Sequence, residues 1–339
     1  MKKTILAAAA VSLMGSLYSQ AQSVVTDPVG FVSVTVPAQS DAALGAPLGR
    51  ANEFQGVIQS VSGTTGSVVI TVAGTPGWTA SQFVYASGTQ SKTYYARIDS
   101  GVREGLIGTI TANDTSSFTI TVPTGDDLVG VLSNAANGTG DNVSIAPYWT
   151  LGTLVTGVPN GTKVFTYSTS SVGVNLAPAN TYSYNTTVPG WFKGATPSDD
   201  VILPPMQGFT VRNSTAGAIT VSITGSVPMA THRLIVRMNS TKQDQRIFFN
   251  SPVPEYVGNT GLGLAQGDQL LIIDNSTTGF NKANSITLTY NATVAKWFKG
   301  GTDVDQVYQL QPGASFILRK AASASSQTTV DSHLQSYLQ

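Results

Sequence analysis

The sequence contains no cysteine and only two histidines, His232 and His333. The lack of cysteine excludes disulfide bonds, thiolate metal sites and an N-terminal lipid-anchored cysteine. A zinc site of three histidines is excluded as well, and a Ser-His-Asp triad would have to use His232, because His333 lies in the C-terminal tail. No Gly-x-Ser-x-Gly motif supplies a nucleophile for that triad. The sequence therefore predicts no catalytic, cofactor-binding or metal-binding residue.

Charged residues are also scarce, at 11% of the chain, against about 25% in a typical soluble domain. Residues 22–339 carry 16 basic and 18 acidic side chains, so no basic excess is available to neutralise phosphates, and nucleic acid is not an expected partner. Ser, Thr, Asn, Gln and Gly fill the surface instead. These residues offer neutral hydrogen-bonding groups to sugars or to other copies of the chain.

The only long apolar run lies at the N-terminus. Met1 and two lysines precede a largely apolar stretch at residues 5–17, and small residues follow at Ser19 and Ala21. This pattern is typical of a secretory signal peptide, residues 1–21, cleaved after Ala21. The stretch is too short for a permanent membrane span, and no other such run follows, so no transmembrane helix is predicted. We expect the mature chain to be exported to the periplasm, the cell surface or the extracellular space.

A duplication organises the rest of the sequence. The tetrapeptide Trp-Phe-Lys-Gly begins at Trp191 and again at Trp297, 106 positions later. At the same spacing and without a gap, residues 152–194 and 258–300 share 16 identities in 43 positions. A repeat of this length indicates two copies of one structural unit.

Short segments rich in Val, Ile, Thr and Tyr dominate between Gly, Pro, Asn and Asp turns, and no helical pattern extends over 12 residues. The sequence thus predicts an all-β protein with two tandem homologous β-sandwich-like units and a small β-barrel inserted in the first. The predicted boundaries are residues 22–53 plus 148–224 for the first unit, 54–147 for the barrel, 225–320 for the second unit and 321–339 for a disordered tail.

Several short motifs resemble a known family. They are the Asp-Pro-Val-Gly-Phe-Val start at residues 27–32, the Thr-Leu-Gly element at 150–152, Thr-Gly-Phe-Asn-Lys at 278–282 and Leu-Gln-Pro-Gly at 310–313. With the signal peptide, they make the chain similar to an uncharacterised family of exported β-rich proteins of verrucomicrobial bacteria. The resemblance implies export and a shared fold. It brings no activity and no site residue with it.

The repeated aromatic pairs are the first candidates for ligand contact. Neighbouring strand residues point to opposite faces, so one ring of each pair, Trp191 with Phe192 and Trp297 with Phe298, should face inward. Trp191 and Trp297, with Trp78 and Trp149 as further candidates, could stack on a sugar ring if exposed. The alternative is that these rings pack in the core, and duplication favours it, because duplicated units repeat their core first.

Carboxylates are the second candidates, since a glycosidase needs two of them about 5–9.5 Å apart. The candidates are Asp126 with Asp127, Asp199 with Asp200, Asp303 with Asp305, and Glu53, Glu104 and Glu255. Most of the aspartates stand in turns, where the side chain bonds its own backbone, and Asp199 and Asp305 match at the repeat spacing, which indicates a structural turn. A Ca²⁺ site in these loops is an alternative that lacks a full loop signature.

Three functional hypotheses follow. The first is an exported non-enzymatic structural or interaction protein of the cell envelope or extracellular space, with self-association through exposed strands such as residues 234–238. The second is a polysaccharide-binding protein that uses exposed tryptophans. The third is a glycan-active hydrolase.

Overall fold

The computed structural model describes residues 27–85, 92–133, 139–262, 264–324, 327–333 and 335–338. These residues form strands almost throughout, which confirms the all-β prediction. The predicted signal peptide, residues 1–21, lies outside them. Within the described ranges, no helix is long and apolar enough to cross a membrane.

The chain begins with β1 (Val29–Val36) and β2 (Ser40–Leu44). The next six strands are β3 (Phe54–Ser62), β4 (Ser67–Val72), β5 (Tyr94–Ile98), β6 (Ile107–Asn113), β7 (Ser117–Thr121) and β8 (Asn142–Pro147). Then come β9 (Trp149–Thr150), the helical turn α1 (Leu151–Leu154), β10 (Lys163–Thr166), β11 (Asn180–Asn185), β12 (Gly190–Lys193), β13 (Thr196–Pro197), β14 (Ile202–Leu203), β15 (Phe209–Asn213) and β16 (Ile219–Ser226).

The remaining strands are β17 (His232–Met238), β18 (Gln243–Ile247), β19 (Glu255–Tyr256), β20 (Gln269–Ile272), β21 (Ile286–Asn291), β22 (Lys296–Lys299), β23 (Thr302–Asp303), β24 (Gln309–Leu310), β25 (Phe316–Lys320) and β26 (Gln327–His333). Single 3₁₀ turns stand at Val257–Asn259 and Ser336–Leu338.

The first unit is a small sandwich. Its six-stranded antiparallel sheet has the order β13-β12-β11-β10-β15-β2, and the ribbon β1-β16 contributes to the same core. Alternate residues of the ribbon, such as Val32 and Val221, are buried in that core with Val211 of the sheet. Burial of one face of each strand is what the period-2 apolar pattern provides.

The second unit has the same construction. Its sheet order is β23-β22-β21-β20-β25-β18, and its ribbon is β17-β26. Each strand therefore has an equivalent in the first unit at the same place in the sheet. Strands β1 and β2 correspond to β17 and β18, and β15 corresponds to β25.

Strands β3 to β8 close into a six-stranded barrel in the order β3-β4-β7-β6-β5-β8. The barrel runs from Phe54 to Pro147 and so fills the span that the sequence assigns to the insertion. It has its own core, which includes Ile70, Phe118 and Ile145.

The two units face each other through reciprocal contacts. The N–H of Asn175 donates to Asp244 Oδ2 at 2.7 Å, and Arg319 Nη2 donates to Asn175 Oδ1 at 2.8 Å. Arg319 also forms a two-point ion pair with Asp244, at 2.7 and 2.9 Å. The mirror contact has the same bonds, made by Asn281, Asp41 and Arg212. A patch that contacts its own equivalent is the geometry of a two-fold dimer, here within one chain.

The C-terminal tail differs from the prediction of disorder over residues 321–339. Residues 327–333 form β26, which pairs along its whole length with β17, from Met238 opposite Gln327 to His232 opposite His333. The reason is tertiary. The tail is polar and has little strand pattern of its own, but β17 offers it an edge to pair with. Strand β16 pairs with β1 in the same way in the first unit.

Candidate functional site

The repeated tryptophans are buried. Trp191 and Trp297 are each 1% exposed, and Phe192 and Phe298 on the opposite face are half-buried. One ring of each pair therefore faces inward, as the strand geometry predicts. Neither indole presents a face to solvent. Trp191 and Trp297 therefore pack in the cores of their units, and we do not propose them as residues that stack on a sugar.

The two other tryptophans also serve packing. Trp78 is 6% exposed in the barrel core, where its ring meets Phe54 edge-on at a centroid distance of 4.7 Å. Trp149 is half-buried, and its Nε1 donates to the carbonyl of Leu48 at 2.7 Å. Each ring is held by contacts within the chain.

The repeated aspartates hold the tryptophan strands in place. Asp199 Oδ1 accepts from the N–H of Trp191 at 2.8 Å, and Asp305 makes the same bond to the second tryptophan at 3.2 Å. A Cβ added to Gly152 would lie 2.9 Å from Asp199, and one added to Gly258 would lie 2.2 Å from Asp305. Structural turns thus account for these aspartates and for the repeated glycines beside them.

The other carboxylates that the sequence singles out have partners of their own. They pair as Asp126 with Arg233, Asp127 with Arg103, Asp200 with Tyr85, Asp303 with Lys296, Glu53 with Tyr94 and Glu104 with Thr231. Glu255 is buried, at 4% exposure. In the part of the chain that the structure describes, no three His, Asp or Glu side chains are grouped as metal ligands.

A cavity of about 440 Å³ lies where the barrel meets both units. Its wall combines Pro204 to Gln207 of the first unit, the β17 and β18 residues of the second unit, and β6 and β7 of the barrel. Its volume is within the usual range of about 300–1,000 Å³ for small-molecule sites. Apolar side chains form part of the wall, and the polar groups include Thr109, Thr121, Thr124, Thr169, Gln207 and Gln245.

The cavity has a cationic wall. In the described part of the chain, Arg233, Arg237 and Arg246 line it, against the single carboxylate of Asp126. Arg233 is neutralised by Asp126 through a two-point ion pair, Nε to Oδ2 at 2.5 Å and Nη2 to Oδ1 at 2.7 Å. Within the described residues, Arg237 and Arg246 have no carboxylate partner. The wall therefore carries two positive charges in excess.

Arg246 is the most unusual of the three. Its Nε and Nη1 atoms are inaccessible to solvent and have no hydrogen-bond partner within the described ranges. One face of the guanidinium stacks on the Tyr167 ring, with Cζ 4.3 Å from the centroid. Burial lowers the pKa of Arg246 from its usual value. Arginine nevertheless stays charged in proteins. The carboxylates of Asp244 and Asp41 favour this charge from a distance, but the burial effect is larger and neither carboxylate forms an ion pair with Arg246.

The first unit has none of these arginines at the equivalent positions. Because Asp41 and Asp244 are equivalent, Ala43 in β2 stands where Arg246 stands in β18. The ribbon registers make Phe31 the equivalent of Arg233, and Thr35 the equivalent of Arg237. The arginines are thus a feature of one copy, the one on which the barrel lies.

Sequence reasoning missed this cavity, because its residues come from three separate parts of the chain. The only available signal was three arginines in residues 233–246 of a chain with few charges. No protein-family model, curated protein or solved structure matches this chain.

Proposed function

We propose that this protein is an exported, non-enzymatic binding protein that holds an acidic saccharide in the cavity between the barrel and the two β units. The observation that carries the proposal is the Arg246 guanidinium, which lines the cavity and forms no ion pair within the described residues. A carboxylate or sulfate group in the cavity would add a counter-charge for this guanidinium, and arginine is well suited to recognise either group.

The rest of the cavity suits a sugar. The hydroxyls of Thr121, Thr124 and Thr169 can bond to ring hydroxyls, while Ile202, Pro204 and Leu234 offer apolar surface to a ring face. The proposal keeps the saccharide hypothesis but moves it from the tryptophans to the cavity. Export is supported by the N-terminal signal pattern and by the resemblance to exported proteins.

The absence of catalysis is part of the proposal. It is supported by the carboxylates, since those that the sequence offers as an acid/base pair are engaged in ion pairs or in backbone turns. A hydrolase needs one carboxylate with a raised pKa beside a second one. Among the described residues of the cavity wall, the one carboxylate is Asp126, which is already paired with Arg233.

Calorimetric titration of residues 22–339 with glucuronate and with glucose tests the site. We expect glucuronate to bind and glucose to bind at least tenfold more weakly, because removing one partner of a buried, hydrogen-bonded charge pair costs about 2–5 kcal/mol. Arg246→Ala, which installs the residue of the first unit, should abolish the preference. Lys299→Ala removes the same charge from an exposed position and should leave binding unchanged.

Three results would overturn the proposal. One is a wild-type protein that binds no acidic sugar, with sulfated galactose used as a second probe for sulfate recognition. Another is equal affinity for glucuronate in wild type and Arg246→Ala, both folded by circular dichroism. The last is chemical conversion of a bound acidic oligosaccharide, seen by mass spectrometry, which would replace a binding protein by an enzyme.

A further inference from the structure

One strand of the first unit has an open backbone edge. Strand β1 pairs with β16 on one side, and it has no second strand neighbour among the described residues. The N–H of Val227 donates to the carbonyl of Pro28 at 2.7 Å, and bonded pairs alternate along an antiparallel ladder. The even-numbered residues of β1 therefore bond to β16. The backbone groups of Phe31, Ser33 and Thr35 point to the open side.

These outward groups have no hydrogen-bond partner in the described part of the chain. They face a groove of about 690 Å³, whose opposite wall belongs to the second unit. An unpaired strand edge is a template for another strand. Here the edge lies inside a groove, which favours a thin, extended segment over the edge of a second folded sheet.

The second unit closes the equivalent edge with a side chain. Gln245 Nε2 donates to the carbonyl of Ile235 at 2.7 Å, and Gln245 Oε1 accepts from the N–H of Arg237 at 3.4 Å. These are the positions equivalent to Ser33 and Thr35. The first unit has Ala42 in place of Gln245, so it lacks the group that would cap its edge.

The wall opposite β1 can hold the side chains of an added strand. It includes the half-buried side chains of Ile286 and Tyr308, with the amides of Gln309 and Gln311 beside them. Phe31 is 64% exposed at one end of the groove. An added strand presents alternate side chains to opposite sides, so one set would meet this apolar wall while the other set faces solvent.

We propose that the groove along β1 binds an extended peptide segment of another polypeptide by strand addition. The peptide's main chain bonds to Phe31, Ser33 and Thr35, and its alternate apolar side chains lie against Ile286 and Tyr308. The edge from Val29 to Thr35 is about 20 Å long at 3.3 Å per residue, which matches a peptide of about seven residues. This site is separate from the cavity that Arg246 lines.

A phage-displayed library of random 12-residue peptides, selected on residues 22–339, provides the probe. An enriched peptide is then synthesised with a fluorescein label, and its affinity is measured by fluorescence polarisation. Thr35→Pro removes the outward N–H, and proline is tolerated where an edge N–H faces away from the sheet. Thr35→Ala is the matched control, because it removes the side chain and keeps the N–H.

We expect Thr35→Pro to weaken binding by about fivefold or more, as the loss of one main-chain bond implies, and Thr35→Ala to change it less than twofold. Ala42→Gln introduces the equivalent of Gln245, which caps the edge of the second unit, and should also weaken peptide binding. Failure to enrich any peptide, or equal affinity in Thr35→Pro, would refute the proposal. So would a wild-type dimer that Thr35→Pro dissociates, since the occupant of the edge would then be a second copy.

Discussion

The second unit buries an ion pair where the first unit has two neutral residues. This difference allows the contribution of the pair to the free energy of unfolding to be measured. Lys320 Nζ bonds to Asp268 Oδ2, with side-chain exposures of 2% and 0%. Asp268 also accepts from the N–H groups of Ala265 and Ala321, each at 2.7 Å. At the equivalent positions the first unit has Thr162 and Asn213, both fully buried and neutral.

Asp268→Thr should destabilise the protein strongly, because it leaves the buried Lys320 cation without its carboxylate. Breaking a buried ion pair by removing one partner costs about 3–5 kcal/mol. The double variant Asp268→Thr, Lys320→Asn replaces the pair by the residues of the first unit and removes the buried charge. We expect it to lose less than about 2 kcal/mol, since exchange of a whole buried pair for neutral residues is often close to neutral.

Urea unfolding, followed by circular dichroism and tryptophan fluorescence, measures both variants. The shift of the midpoint, multiplied by the slope of the transition, gives the change in the free energy of unfolding. Asp303→Asn is the control, because the Lys296–Asp303 pair is exposed, at 48% and 42%, and should contribute at most about 1 kcal/mol. A double variant no more stable than Asp268→Thr would refute the reasoning, because the two side chains would then be uncoupled.

Two further predictions concern glycine positions of the repeat. Gly258→Ala should lower the free energy of unfolding by about 1–3 kcal/mol in the same urea assay, because the new Cβ would lie 2.2 Å from Asp305 Oδ2. Gly217→Ala is the control and should be neutral, because no atom lies within 4 Å of its new Cβ. Met206 has a φ of 64° where the second unit has Gly313 at 73°, yet Met206→Gly should destabilise by about 1–3 kcal/mol in thermal unfolding. The variant loses the Met206 side chain from the core of the second unit, and this loss is larger than the gain of about 1–2 kcal/mol from relieved backbone strain. A variant more stable than wild type would show that backbone strain is the larger effect.

The features that could be predicted from the sequence are those that depend on neighbours in the chain. The repeated Trp-Phe-Lys-Gly hairpin combines strand alternation with a glycine turn, Gly194 at a φ of 62° and Gly300 at 63°. Both are local rules, and the structure follows them in each copy. The insertion could be delimited in the same way, because it interrupts a repeat whose second copy runs straight through.

The features that escaped depend on contacts between distant segments. Strand β26 exists because β17 offers it an edge about 90 residues earlier in the chain. The equivalence of Ala43 with Arg246 becomes visible only when β2 and β18 are superposed, since few residues of these strands match and the barrel separates β2 from the rest of its unit. The cavity needs three segments at once, and no pattern within any one of them indicates a site.

Comparison of the two copies also separates structural residues from candidate functional ones. Residues that both copies retain, such as the Asp199 and Asp305 turn and the reciprocal asparagine contacts, hold the fold and join the units. Residues that differ at equivalent positions change the edge and the pocket beside each copy. Where the second unit has Gln245 and Arg246, it closes its strand edge and faces the cavity with a cation. The first unit has alanine at both positions, and it leaves its edge open. Two adjacent residues of one strand thus contribute to both proposed sites. Exchange of Gln245-Arg246 with Ala42-Ala43 should therefore open the β17 edge, cap the β1 edge and remove the Arg246 cation from the cavity.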